Sequence, residues 1–116
     1  MTGRSKTRAR APTAASQEGI FVLGPLDTIE DVDEKGCALL GYSKAELIGR
    51  HGSEIVPPER HFGVAVALDR MRHGDLTTVA AGVMMRKDGS QVRVEVTVQK
   101  RDDQRLVLRV RPVPAR

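Results

Sequence analysis

The chain has no tryptophan and a single cysteine, and aromatic residues make up 3% of its 116 positions. Phe21, Tyr42 and Phe62 are the whole aromatic set, so the core must be built from Val, Leu, Ile, Met and Ala. Few platforms remain for stacking a nucleobase or a flat cofactor. A lone Cys37 excludes an intrachain disulfide and a cysteine-rich zinc site. No apolar run reaches membrane-spanning length, and no signal-like apolar stretch follows the basic start. A cytoplasmic protein without a membrane segment is the expectation. Gly-x-Ser-x-Gly, His-Glu-x-x-His, a phosphate-binding glycine loop and a dinucleotide fingerprint are also absent. The acids are scattered, and no catalytic set is expected.

The positive charge is local. The net charge is +4, and Arg4, Lys6, Arg8 and Arg10 precede the first acid. The rest of the chain balances fifteen basic against fifteen acidic residues. Residues 1–17 read as a disordered, basic N-terminal segment. Binding of nucleic acid through this tail is the alternative to a solvated leader; the leader is preferred, so no nucleic-acid partner is expected.

What is present reads as alternating strands and capped helices. Ile20–Leu23 is a short apolar run stopped by Gly24-Pro25, and Thr28–Val32 is its expected hairpin partner. Asp33 is placed to cap a helix that Gly41 ends, with Cys37 and Leu40 inward. Ser43-Lys-Ala-Glu46 is a capping box for a second short helix. Pro57-Pro58 opens the longest helix, on which His61, Val64, Leu68 and Met71 form one stripe and Gly74 marks the end. Val79–Arg86 reads as a strand, and Asp88-Gly89 as a hairpin turn. Val92, Val94, Val96 and Val98 then alternate with polar residues. Asp102–Gln104 turns the chain into Arg105–Arg111, where Leu106, Leu108 and Val110 share a face. The order of elements predicts one α+β domain over residues 18–112, with 113–116 as a tail.

Two stretches carry a family resemblance. Ile29-Glu-Asp-Val-Asp33, running through Lys35-Gly-Cys-Ala-Leu-Leu-Gly-Tyr42 to Ser43–Arg50, and Arg86-Lys-Asp-Gly-Ser90 before an alternating strand together resemble the PAS domain. The resemblance spans roughly Gly19 to Arg111. It implies a five-stranded antiparallel sheet in the order 2-1-5-4-3, with short helices and one longer helix on one face. It also implies a sensory or regulatory role in bacterial signal transduction or transcription regulation, in which a small ligand or a protein partner is bound and a change of shape passed on. A homodimer or a signalling protein would be the partner. Val64, Leu68 and Met71 of the long helix, with Val79, Ala81, Val83, Val94 and Val96 of the strands, are the expected lining of a cavity or plain core.

His61 is the conditional member of that set. Haem-binding relatives carry a proximal histidine on this helix, so a haem-based gas sensor using His61 is the alternative reading. Ala80 stands where those sensors place a distal arginine, and no bound cofactor is the preferred expectation. The flavin-binding branch has a reactive cysteine after the two short helices, where this chain has Gly52, so flavin photochemistry is not expected. Arg111-Pro-Val-Pro114 replaces the turn that usually leads to an output domain, which implies either a piece of a longer regulator or action on a separate partner.

Overall fold

A computed structural model describes residues 18–73, 78–101 and 103–113, with the side chains of Phe62, Ala65 and residues 78–80 left out. The basic segment 1–17, the helix stop at Gly74 and the tail from Pro114 lie outside the described residues. Five strands form one antiparallel sheet: β1 (Gly19–Leu23), β2 (Ile29–Val32), β3 (Thr78–Met85), β4 (Gln91–Lys100) and β5 (Leu106–Pro112). Their order is β2-β1-β5-β4-β3, the order implied by the resemblance. The helices α1 (Glu34–Leu40), α2 (Lys44–Leu47) and α3 (His61–His73), with 3₁₀ turns at Gly52–Ile55 and Pro58–Arg60, fill the connection between β2 and β3. The long helix therefore begins one turn later than the proline pair, which opens the 3₁₀ turn before it.

The caps form as the residue types dictate. Asp33 Oδ1 accepts from the Gly36 amide at 2.8 Å and from the Ile20 amide at 3.0 Å, which joins the start of α1 to β1. Gly41 closes α1 in the left-handed region at φ 78°. Ser43 and Glu46 cap α2 reciprocally. Gly36 sits inside α1 because the helix lies directly on β1. A Cβ there would come within 2.7 Å of Val32 Cγ2 and 3.1 Å of the Phe21 ring. Asp88-Gly89 does form the β3–β4 hairpin, as a three-residue loop. Arg86 and Ser90 close it through a 2.8 Å backbone bond, and Gly89 alone takes positive φ.

The two stretches that carry the resemblance meet in space. The Lys87 amide donates to the Leu40 carbonyl at 2.9 Å, and Arg86 Nε donates to the Leu39 carbonyl at 3.2 Å. The hairpin thereby satisfies carbonyls that the end of α1 leaves open. Lys87 Nζ also donates to Glu46 Oε2 at 2.5 Å. That bond, with the Ser43 amide, lowers the Glu46 pKa from 4.5 to about 2. A carboxylate depressed in the folded state contributes stability that is present above its unfolded value and lost as pH falls through the folded one. Wild type should therefore lose more melting temperature between about pH 5 and pH 2 than Glu46→Gln. The effect will be small because the pair is exposed. Parallel acid limbs in the two melts would show that the pair does not contribute.

The core is apolar throughout. Phe21, Leu23, Ile29, Leu40, Leu47, Leu106, Val94 and Val110 are essentially inaccessible, and no polar or charged side chain is buried among the described residues. Val92, Val94, Val96 and Val98 take successive inward positions of β4, as the alternation predicts. Val92, Val94 and Val98 are buried, whereas Val96 is only half-buried.

Candidate ligand-binding cavity

The half-buried state of Val96 has a cause. A cavity of about 400 Å³ lies between α3 and the inner face of the sheet. Val64, Leu68 and Met71 wall it from the helix, and Val94, Val96 and Val98 from β4. Phe21, Leu23 and Leu108 close it beneath, and Ile55 and Val56 close one end. Its exposed lining residues are Glu59, Arg60, Gly63 and Ala81, so it opens between the start of α3 and strand β3. This size falls within the range of small-molecule sites.

The structure brings together Val64, Leu68, Met71, Val94 and Val96 from the expected set. Ala81 and Val83, on the edge strand β3, also border the cavity. Ala81 pairs with Glu95 and Val83 with Arg93, which sets their side chains on the outer face. Gly82 and Met84, opposite Val94 and Val92, face inward from the part of β3 whose side chains are described. Val79 pairs with Thr97, and its side chain lies outside the described residues.

His61 is placed differently from its stripe-mates. Its Nε2 lies 2.9 Å from the Val56 carbonyl oxygen, so that nitrogen carries the proton and donates. The ring is half-buried and is not among the residues lining the cavity. In this arrangement it ties the start of α3 to the preceding turn, outside the cavity lining. Cys37 is half-buried against the core. Burial, reinforced by the nearby Asp33 charge, pushes its thiol pKa up, away from the reactive thiolate.

Two features of the site were not read from the sequence. Gly82 carries no side chain to signal a wall position, yet a Cβ on it or on Gly63 would meet nothing within 4 Å. Phe21, Leu23 and Leu108 come from strands far away in the chain, and only the β1–β5 pairing places them under α3. On the opposite side of the sheet, Val22 pairs with Val107, with Ile20 on the same face; all three are half-buried.

An antiparallel sheet of this order, helices on one face and an apolar cavity under the longest of them define a single-sheet α+β domain built around an internal pocket. The family model of the PAS domain matches residues 17–110, and the chain belongs to that family. The PAS domain of an HTR-like protein from Haloarcula marismortui is similar, with 28% identity, TM-score 0.73, and 89% of this chain and 87% of that one covered. The PAS domain of a LuxR-family transcriptional regulator from Burkholderia thailandensis, in complex with ethanol, is 18% identical at TM-score 0.71, with coverage of 94% and 100%. The PAS domain of the quorum-sensing receptor RpfR from Cronobacter turicensis, in complex with C12:0, is 11% identical at TM-score 0.76, with coverage of 84% and 95%. The last two share the fold. No curated protein matches the chain. Among the described residues no helix is long and apolar enough to cross a membrane, and no cluster of His, Cys, Asp or Glu could hold a metal ion.

Proposed function

We propose that this PAS domain is a non-catalytic sensory module that takes a small, largely apolar ligand between α3 and the inner face of the sheet. Occupancy changes how α3 sits, and a partner protein or a second copy reads the change. The observation that carries this reading is the cavity itself: about 400 Å³, walled by aliphatic side chains and Phe21, with no buried polar side chain among the described residues. Such a lining offers a ligand dispersion and water exclusion, and side-chain hydrogen bonds only at the mouth, where Glu59 and Arg60 stand. Straight-chain alcohols and fatty acids fit that chemistry. The ethanol and C12:0 complexes of the two structural neighbours lend it support.

The outer face, with Ile20, Val22 and Val107, is the surface for weak self-association, in the micromolar range or above (about 8 kcal/mol or less). The test of the ligand reading is native mass spectrometry of the freshly purified domain, followed by thermal shifts against straight-chain alcohols and acids of increasing length. One retained or added molecule per chain, with shifts that grow and then fall with chain length, is the expected result. An empty protein whose melting no apolar probe moves would refute the reading.

A further inference from the structure

Only two non-glycine residues among those described take positive φ: Asp27 at 64° in the β1–β2 turn and Gln104 at 70° in the β4–β5 turn. Left-handed backbone is uncommon for non-glycine residues, although aspartate tolerates it better than glutamine, and it persists where surroundings support it. Both touch the same side chain. Arg72, in the last turn of α3, pairs its guanidinium with the Asp27 carboxylate and donates from Nε to the Gln104 carbonyl at 3.2 Å. Its remaining nitrogen donates to the Gly24 carbonyl at 2.8 Å, the same oxygen that closes the β1–β2 turn by accepting from the Asp27 amide at 2.9 Å. The Arg72 side chain is 11% exposed and that of Asp27 18%, so this is a sheltered charge pair. The Arg72 carbonyl in turn accepts from Lys100 Nζ at 3.0 Å, at the end of β4.

We propose that Arg72 is the coupling residue of the domain, joining the cavity helix to two turns in left-handed conformation so that they respond together when α3 moves. Met71 and Leu68, which line the cavity, precede Arg72 by one and four residues on a continuous helix. A displacement of α3 by an occupant is thus felt by the guanidinium. Each turn has a discrete alternative, because relaxing Asp27 or Gln104 out of the left-handed region relieves its strain once the Arg72 bonds are gone. The route leads away from the cavity to two turns at the sheet margin, where a partner can read it. This inference rests on the ligand reading above, and its test separates the two.

The test uses amide exchange and chemical shifts on wild type, Arg72→Gln and the charge-conserving Arg72→Lys. Without ligand, the Asp27 and Gln104 amides should exchange on the order of ten times faster in Arg72→Gln, the effect of losing charge-assisted bonds. Amides of central β4 should keep wild-type protection, which shows the fold intact. Arg72→Lys should fall between the two. Unchanged exchange at both turns would overturn the clamp, whatever the cavity binds. With decanoic acid as probe, wild type should show shift changes at Asp27 and Gln104 as well as at the cavity wall. In Arg72→Gln the wall changes should remain and the turn changes vanish. Turn changes that persist in Arg72→Gln overturn the coupling alone. If neither decanoic acid nor 1-decanol binds, both the ligand reading and the coupling fall, while the exchange result still decides the clamp.

Discussion

Val94→Asp should unfold the domain. Val94 is 1% exposed, central to β4, and flanked in the sheet by Gly82 and Pro112. No charged side chain is buried beside it among the described residues, and burying a carboxylate there costs on the order of 4 kcal/mol or more. That is a large share of the roughly 5–15 kcal/mol typical of a whole domain. Arg93→Asp, one residue away on the exposed face, should change stability by no more than about 0.5 kcal/mol. Val96→Asp belongs between them, because its side chain is only half-buried, where Val94 is almost inaccessible. Circular-dichroism melts of the three variants should therefore rank Arg93→Asp, Val96→Asp, Val94→Asp in increasing damage. Equal tolerance of all three would show that the inner face of β4 is misassigned.

Gly82→Val should do the reverse for stability while removing the ligand site. A Cβ on Gly82 meets nothing within 4 Å, and its backbone is not in the left-handed region. Valine restricts the unfolded chain, suits a strand and places methyl groups in empty apolar space. A gain of about 1 kcal/mol follows, or roughly 5 °C in melting temperature for a domain of this size. The same methyl groups occupy volume that a ligand would need, so affinity for straight-chain probes should drop about tenfold or more. A variant that is more stable yet binds as wild type would place the ligand elsewhere.

Local chemistry made the helices legible. Asp33, Gly41 and the Ser43–Glu46 pair act within a few residues of themselves, so their roles hold whatever the tertiary context. Strand β4 was equally legible, because Arg93, Glu95 and Gln99 mark one face as wet. Strand β3 was not. Thr78-Val-Ala-Ala-Gly-Val-Met-Met85 is apolar at both parities, so nothing in it distinguishes inward Gly82 and Met84 from outward Ala81 and Val83. Only the pairing with β4 fixes the face.

Val64, Leu68 and Met71 of the α3 stripe border the cavity, whereas His61 does not. A histidine at a helix start has a carbonyl within reach, and the Val56 oxygen accepts a hydrogen bond from its Nε2. Periodicity places a residue on a face but is blind to such a local bond. Arg72 gave no signal either. Its partners Gly24, Asp27 and Gln104 lie 48, 45 and 32 residues away, and two of the three contacts are to backbone carbonyls that no residue type announces.

The central claim is that an apolar molecule sits between α3 and β4, and methyl NMR tests it most directly. With decanoic acid added to protein labelled at Met, Leu and Val methyl groups, intermolecular Overhauser contacts should appear from the chain of the acid to Met71, Leu68, Val64 and Val96. At the same sub-saturating probe concentration they should weaken markedly in Gly82→Val. Contacts confined to the outer-face methyls of Val22 and Val107, or no contacts at saturating probe, would contradict the claim.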